Sequence, residues 1–290
     1  MSMTREVHKK LLAFQRNEIT EYHIYRKIAR TVTSPENRDI LEKIAADEMR
    51  HYEEWREYTD VDVGPSRFHV WGYYLLSRVL GFTFGVKLME RGEEAAQRDY
   101  EAIKSVVPDA ERILREEDEH ELELLRFLDE ERLRYTGSIV LGLNDALVEL
   151  TGALAGFTFA LQNTKLIALT GSITGIAAAL SMGASEYLST KTEKHDRSPG
   201  RAAAYTGGAY IMAVVVLILP YLVFDDLYFC LACALAASVV IIAGFNYYIS
   251  VAKDEPFRSR FLEMAGLSLG VAAITFAIGL VLRRFLGVEV

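Results

Sequence analysis

The chain has 290 residues, of which 51% are hydrophobic and 25% are charged, and its formal net charge is −8 at pH 7. This acidic balance, without a stripe of basic residues, argues against a nucleic-acid-binding protein. The charge is concentrated in residues 1–134, which hold 22 of the 32 Lys and Arg and 29 of the 40 Asp and Glu. We therefore predict two domains, a soluble one over residues 1–134 and an apolar, membrane-embedded one over residues 135–290.

For the soluble half, residues 1–134, we predict four long helices that are separated by prolines. Their predicted bounds are Arg5–Thr31, Pro35–Tyr58, Val86–Lys104 and Asp109–Arg134. Ser34 and Asp109 are typical N-caps. Between the second and third helices lies the apolar, aromatic stretch 66–85, which contains Arg78. This composition predicts an amphipathic crossover that lies on the membrane or on the helical bundle rather than a sixth membrane span.

Two of these helices carry the spacing Glu-x-x-His inside an apolar stripe. On the second helix Glu48 and His51 continue the stripe, and on the fourth helix Glu117 and His120 do the same. One such pair on a charged helix arises easily by chance, but two pairs on two buried faces indicate metal ligands. A solvated set of salt bridges is the alternative interpretation.

The first and third helices each place one glutamate in an apolar stripe, Glu18 and Glu93. Glu94 lies with Glu90 on a polar row, so Glu93 is the preferred ligand, and Glu21 is assigned to solvated surface by the same argument. Two helices that give one Glu each and two that give Glu-x-x-His match the inward arrangement of four-helix di-iron carboxylate bundles. Mixed carboxylate and imidazole ligands suit two iron ions and leave room for oxygen or peroxide.

Over roughly residues 5–134 the sequence resembles the rubrerythrin and ferritin-like family. It lacks the rubredoxin-type cysteine pairs of full rubrerythrins, so no attached iron-sulfur centre delivers electrons. The resemblance implies a ferritin-like four-helix bundle with a di-iron site. The implied ligands are Glu18, Glu48, His51, Glu93, Glu117 and His120.

Five apolar segments follow Tyr135, each close to the roughly 20 residues with which a helix spans a bilayer. Their predicted bounds are Ser138–Leu161, Leu166–Leu188, Ala202–Phe224, Leu227–Val251 and Phe261–Leu282. Basic residues are concentrated before the first segment and in the loops after the second and fourth. The positive-inside rule and the densely charged first forty residues predict a multi-pass protein of the cell (inner) membrane without a cleavable signal peptide and with a cytoplasmic N-terminal domain.

The first apolar segment, "IVLGLNDALVELTGALAG", carries Asp145 and Glu149 one helical turn apart. A carboxylate at the bilayer centre costs about 2.5–3.5 kcal/mol on insertion scales, so we expect both to face protein or a water-filled path. The second segment offers Met182 and Glu186 at the same spacing. Carboxylates beside a thioether suit Fe(II) or Mn(II) better than Mg(II) or Na(I). Because Glu186 is near its helix end, capping or snorkelling is the alternative for that residue.

The motifs "NDALVE" and "SMGASEY", in this order, resemble the vacuolar iron transporter family, whose first helix carries Asn-Asp-Gly and whose second carries Ser-Met followed by Glu-Tyr. Ala146 replaces the family's glycine, and the segment Thr190–Arg201 is too short for the metal-binding helices that plant members insert there. The resemblance covers residues 135–290 and implies a five-helix homodimer that exchanges Fe(II) for protons. The implied membrane ligands are Asp145, Met182 and Glu186, with Glu149 as a neighbouring carboxylate.

A ferritin-like bundle followed by a five-helix transmembrane bundle, all-α throughout, resembles the membrane-bound ferritin proteins. This resemblance implies an iron exporter in which a di-iron domain captures or senses iron and Fe(II) or Mn(II) leaves the cytoplasm in exchange for protons. Its partners would be metal ions, protons, membrane lipid and a second copy of the chain. The alternative is a membrane-anchored di-iron oxidase or peroxidase, including a ferroxidase. An anchor has no need of Asp145, Glu149 and Met182 inside the bilayer, which distinguishes the two functions.

Overall fold

The computed structural model describes residues 4–97, 107, 110–127, 134–192 and 197–286, and every regular element among them is a helix. The chain divides into two compact units, Met1–Glu130 and Glu131–Val290. The first unit contains α1 (Arg5–Ala29), α2 (Pro35–Thr59), α3 (Arg67–Leu80), α4 (Phe82–Gln97) and α5 (Ala110–Phe127). The second contains α6 (Thr136–Leu161), α7 (Thr164–Thr192), α8 (Pro199–Val223), α9 (Leu227–Lys253) and α10 (Phe257–Leu286). The prediction of an all-α fold is confirmed over these residues.

The ends of α2 follow from its local sequence. The hydroxyl of Ser34 accepts a hydrogen bond from the backbone N–H of Asn37 at 3.4 Å, and Pro35 takes the first helical position. The predicted N-cap Ser34 is therefore confirmed. The helix ends at Asp60, whose φ of 54° places it in the left-handed region that terminates helices. The other predicted N-cap, Asp109, lies outside the described residues.

The apolar stretch 66–85 forms a helix of its own. This helix, α3, ends at Gly81, which has a φ of 103° that favours glycine. The next helix, α4, begins at Phe82, about one turn earlier than predicted. A Cβ on Gly85 would overlap the hydroxyl of Ser77, so α3 and α4 approach closely at this turn. One face of α3 packs on the bundle, in agreement with one of its two predicted placements.

Two apolar clusters stabilise the first unit. One lies between the four helices α1, α2, α3 and α4 and contains Ile24, Tyr25, Ile28, Leu41, Ile44, Val70 and Met89. The other joins α1, α2 and α5 through Leu11, Phe14, Trp55 and Ile113. Along α1 and α2 the positions between the two clusters hold Glu18, Glu48 and His51. The ferritin-like four-helix arrangement itself stays a prediction, because much of the chain around α4 lies outside the described residues.

The second unit has five helices that are long and apolar enough to cross a membrane, which confirms the predicted number among the described residues. Most of them extend beyond the predicted bounds by up to about one turn. Glycines allow α6 to pack closely: a Cβ on Gly142 would overlap the carbonyl oxygen of Thr206 on α8, and a Cβ on Gly279 of α10 would lie 2.7 Å from the carbonyl oxygen of Gly156. Small residues at helix contacts are typical of membrane bundles.

One turn of α6 is not α-helical. Residues Ala146–Leu150 form a π-helical turn between the α-helical segments Thr136–Asp145 and Thr151–Leu161. A π-helical turn holds about one residue more than an α-helical turn and is frequent at functional sites. It begins directly after Asp145 and includes Glu149. The predicted helix has 3.6 residues per turn throughout and does not include this π-helical turn.

Candidate metal centre and membrane carboxylates

A cluster of carboxylate and imidazole side chains lies in the interior of the first unit. Glu18, Glu48, His51 and Glu117 each offer one ligand atom, and these atoms all lie within 4.8 Å of one another. All four residues are buried. They come from α1, α2 and α5, whose apolar stripes turn these positions inward. The structure thus brings together four of the six residues that the sequence predicts for this site.

The fifth predicted residue, His120, lies at the edge of this cluster. Its Nδ1 is 3.5 Å from Oε1 of Glu48 and 3.5 Å from Oε2 of Glu117. Its ring stacks on that of His51, with the ring centroids 6.0 Å apart. The sixth residue, Glu93, is on α4, but its side chain lies outside the described residues, as do those of Glu90 and Glu94. Glu93 therefore stays a prediction.

Both histidines direct the same ring nitrogen into the cluster. Nδ1 of His51 is 2.7 Å from Oε1 of Glu117, whereas its Nε2 is 2.8 Å from Oε2 of Glu116. Nε2 of His120 is likewise 3.0 Å from Oδ2 of Asp47. A carboxylate that holds the outer nitrogen fixes the ring's orientation and leaves the inner nitrogen for a metal.

These two outer carboxylates were not predicted from the sequence, although a signal was present. Asp47 and Glu116 each stand directly before a predicted ligand glutamate, so the repeated pattern is acidic-Glu-x-x-His. The contacts are reciprocal: Asp47 on α2 holds His120 on α5, and Glu116 on α5 holds His51 on α2. Periodicity along one helix does not reveal such pairs, because the partner lies on another helix.

Further polar contacts surround the cluster. Nε1 of Trp55 donates a hydrogen bond to Oε1 of Glu18 at 2.9 Å. Arg50 and Arg112 donate to Glu116 at 2.8 and 3.0 Å. Burial raises the pKa of Glu116, but hydrogen bonds from His51, Arg112 and Arg50 outweigh it and lower that pKa to about 2. Glu116 is therefore ionised at neutral pH and can fix the His51 ring.

The inner groups have strongly shifted pKa values. Burial raises the pKa of Glu48 well above its ordinary value, and the charges of Glu117 and Glu18 raise it further. Burial lowers the pKa of His51, but the neighbouring carboxylates of Glu117 and Glu18 outweigh it and raise that pKa to about 11. Like charges in one buried site favour proton uptake or a bound cation.

Four buried atoms of the cluster lack a hydrogen bond of suitable geometry, although Nδ1 of His51 lies close to Oε1 of Glu117: they are Oε2 of Glu48, Nδ1 of His51, Oε1 of Glu117 and Nδ1 of His120. A buried polar atom without a partner costs about 1–3 kcal/mol. Because all four belong to one cluster, a cation bound there would satisfy them together. Carboxylate oxygens with imidazole nitrogens are a donor set that suits iron or manganese.

A cavity of about 680 Å³ adjoins Glu21, which is on α1 one turn after Glu18. Its other lining residues include Arg16, Thr20, Ser66, His69 and Tyr73. The prediction that Glu21 is solvated surface was wrong: Glu21 is only 8% exposed and shares the lining of this cavity with His69 and Tyr73 of α3. The charge of Glu21 also contributes to the raised pKa of Glu48. Glu21 thus lines the cavity and acts electrostatically on the cluster.

In the second unit, Asp145 and Glu149 interact with each other across the π-helical turn of α6. Asp145 is half-buried, whereas Glu149 is exposed. The hydroxyl of Tyr210 on α8 donates a hydrogen bond to Oε2 of Glu149 at 3.1 Å. Tyr210, which is almost fully buried, was not predicted from the sequence. Glu149 therefore faces out of the single chain although it is hydrogen-bonded to α8, and Asp145 is half-buried beside it.

Glu186 on α7 is buried and has a separate partner. Its Oε1 accepts a hydrogen bond from the hydroxyl of Ser138 at 2.6 Å, and the carbonyl of Ser138 accepts one from Thr206 at 2.9 Å. This burial excludes snorkelling into water. Ser138 precedes Asp145 by seven residues, which is about 10 Å along a helix. Within one chain, Glu186 is therefore held nearer the start of α6 than Asp145 is.

Met182 is partly buried and packs against the apolar core of the second unit. Among the residues that the structure describes, the only close group of His, Cys, Asp and Glu with metal-ligand spacing is that of the first unit. Asp145, Glu149 and Glu186 therefore do not meet at one point within a single chain.

The chain was compared with known proteins. Residues 136–197 match the VIT family, the vacuolar iron transporters. The matched range covers α6 and α7 and contains Asp145, Glu149, Met182 and Glu186. No curated protein and no solved structure matches the chain. The membrane half thus contains a VIT-family segment within five apolar helices, and it is similar there to membrane transporters of metal ions.

Proposed function

We propose that the chain exports iron: it moves Fe(II), with Mn(II) as a second cargo, out of the cytoplasm in exchange for protons. The observation that carries this proposal is the Asp145–Glu149 pair inside α6, within the segment that matches the VIT family. In the proposed arrangement residues 135–290 form the transport domain. Residues 1–134 form a cytoplasmic, ferritin-like domain that captures or senses iron.

Transport by carboxylates inside a membrane follows from their two protonation states. An ionised carboxylate binds a divalent cation, whereas a protonated one is a poor ligand. Protons that reach Asp145 and Glu149 from outside would therefore compete with the cargo and favour its release. Sites on a transport path must bind weakly enough to release the ion, and this competition meets that requirement. Export in exchange for protons follows if the N-terminal domain is cytoplasmic, as the positive-inside rule predicts.

A homodimer would complete the membrane site. Glu149 is exposed on a single chain, and an exposed carboxylate is costly in lipid. A second copy related by two-fold symmetry would cover this face of α6 and place two Asp145–Glu149 pairs opposite each other. Met182 and Glu186, which follow on α7, would then belong to the path that leads to these pairs.

The cluster of the first unit fits a di-iron centre. Its oxygen and nitrogen donors match iron. A bound ion would also contact the four buried atoms that lack a suitable hydrogen bond. Bound iron would supply a redox-active centre suited to capture, sensing or oxidation of Fe(II). Glu18, Glu48, His51, Glu117 and His120 would hold it, with Glu93 as the predicted sixth ligand. Asp47 and Glu116 keep the two imidazoles oriented.

Reconstituted vesicles test this proposal. Fe(II) movement and the accompanying change in lumenal pH are followed with dyes for the unmodified protein and for Asp145→Ala. We expect transport to be lost in Asp145→Ala while the first unit still binds metal. Asp225→Ala, which removes an exposed acidic residue between α8 and α9, is the matched control and keeps transport.

The same preparation tests the enzymatic alternative. If Asp145→Ala still transports Fe(II) and peroxide consumption disappears in Glu48→Ala, the chain is a membrane-anchored di-iron oxidase or peroxidase and the exporter proposal is wrong.

A further inference from the structure

The outer face of α3 is apolar and exposed, although α3 belongs to the charged half of the chain. Phe68, Trp71, Leu75 and Val79 are 85%, 59%, 62% and 61% exposed. Their spacing of three or four residues places all of them on one side of the helix. Single exposed apolar residues are common, but a continuous stripe of four on one short helix marks a surface that contacts something else.

Basic residues border this outer face. Arg67 and Arg78 are both exposed, and their separation of eleven positions corresponds to about three helical turns, so they lie along the same edge of the stripe. Nζ of Lys27, on α1, lies 4.1 Å from the ring centroid of Trp71 and 5.5 Å from that of Tyr74. The sequence of α3 contains no acidic residue. The face therefore combines apolar and aromatic side chains with positive charge.

We propose that the outer face of α3 lies in the interfacial region of an anionic lipid bilayer. A helix with aromatic and aliphatic residues on one face and Arg or Lys along its edge is the type that binds parallel to a membrane surface. Basic residues near an anionic surface add electrostatic attraction to the apolar contact. A second copy of α3 would instead place Arg67 and Arg78 against equal charges, with no acidic residue of α3 to neutralise them.

A short segment of chain connects the unit that contains α3 to the helices that are apolar enough to cross a membrane. The first unit is followed by five apolar helices, and only eight residues separate the end of α5, Phe127, from the start of α6, Thr136. An extended chain of that length spans at most about 30 Å. These eight residues join the first unit to the apolar helices, so a contact between α3 and lipid would form within one molecule. Such a short connection favours that contact. This inference is independent of which ion the chain transports.

The two tryptophans of the chain provide the test. Trp71 is exposed on α3, whereas Trp55 is fully buried. The full-length protein is reconstituted in phosphatidylcholine and phosphatidylglycerol vesicles that contain brominated lipid, which quenches nearby tryptophan emission. We expect quenching to be stronger with bromine near the headgroup end of the acyl chain than with bromine at its terminus. In Trp71→Phe the quenchable emission should disappear.

Variants that remove positive charge test whether α3 binds anionic lipid or is only held close to the bilayer. The double variant Arg67→Gln with Arg78→Gln should reduce the quenching, and high salt should reduce it in the unmodified protein. Arg56→Gln, which removes an exposed charge at the end of α2, is the matched control and should change nothing. Leu75→Ser should weaken the quenching without affecting metal binding to the first unit, because this side chain is exposed.

Two results would overturn the proposal. If lipid bromine does not quench Trp71 but aqueous acrylamide does, the face is in water. If neither quencher reaches Trp71, protein covers the face, and cross-linking then distinguishes a second copy from another part of the same chain. Loss of metal transport with unchanged lipid quenching would count against the proposed function and leave the membrane contact of α3 intact.

Discussion

Each histidine of the metal cluster is oriented by a carboxylate that comes from the opposite helix. Glu116 contacts Nε2 of His51, and Asp47 contacts Nε2 of His120, at 2.8 and 3.0 Å. Removing such a partner typically lowers metal affinity by about 10–100-fold. We expect Glu116→Gln to weaken Co(II) binding to the first unit within that range.

Calorimetric titration of the full-length protein checks this expectation. Glu119→Gln, an exposed residue on the same helix, is the control. Equal affinities for the two variants would show that Glu116 does not position His51.

Metal binding at this cluster should release protons. The pKa of His51 is raised to about 11, so His51 carries a proton at neutral pH, and burial and neighbouring carboxylates raise the pKa of Glu48, which favours its protonated form. A metal needs the deprotonated forms of both ligands. Raising the pH removes the competing protons, and the apparent affinity for metal should therefore increase with pH. Calorimetry in buffers of different ionisation enthalpy measures the protons released, and identical heats in all buffers would contradict the expectation.

Glu21 lines the cavity, and its charge acts on Glu48. If the cavity is the route by which metal reaches the cluster, Glu21→Gln should slow metal loading without changing the amount bound at equilibrium. Stopped-flow measurement of Co(II) absorption separates the rate from the final occupancy. A lower final occupancy would instead make Glu21 a ligand, and an unchanged rate would exclude this route.

At the scale of the helices, periodicity was enough to predict which glutamates and histidines of the first unit lie close together in the candidate metal cluster. Glu18, Glu48 and Glu117 interrupt apolar stripes, and a 3.6-residue repeat turns them to the same side as their apolar neighbours. The repeat did not identify Glu21 as buried, because that burial depends on tertiary packing. It also did not identify the role of Asp47, since that role depends on His120 of another helix.

In the membrane helices, too, some features follow from the sequence of one helix and others depend on packing between helices. Length and hydropathy predicted five of them, because each must match the thickness of a bilayer. The π-helical turn in α6 and the hydrogen bond from Tyr210 to Glu149 depend on how α6 packs against α8. A single-helix pattern carries no information about either feature.

The contact between α6 and α8 depends on a glycine. A Cβ on Gly142 would overlap the carbonyl oxygen of Thr206, a backbone atom that cannot rotate away. Gly142→Ala should therefore separate the two helices and destabilise the membrane unit by about 1–3 kcal/mol, the usual cost of overpacking. A lower midpoint of thermal unfolding in detergent would show this. Gly137→Ala is the matched control, since a Cβ there meets nothing within 4 Å.

For the whole molecule, the exposed carboxylate of Glu149 predicts a second copy against α6. Leu141 is 42% exposed and lies on the same helix, eight residues before Glu149. In a Cys230→Ser, Cys233→Ser background, Leu141→Cys should form a disulfide between two chains in the membrane. Ile173→Cys on α7, 62% exposed, is the control for random collision. Equal cross-linking of the two variants, or none, would contradict a dimer that covers this face.

The widened turn of α6 holds one extra residue without changing how the two halves of that helix are rotated relative to each other. Deleting Val148 from Ala146–Leu150 would therefore allow an uninterrupted α-helix and leave everything after the turn in about the same orientation. Gly156 would still meet Gly279 of α10, and Gly142 would still meet Thr206 of α8, whereas Glu149, inside the turn, would point in a different direction. A single inserted residue thus redirects one carboxylate while the packing surfaces on either side of it are kept.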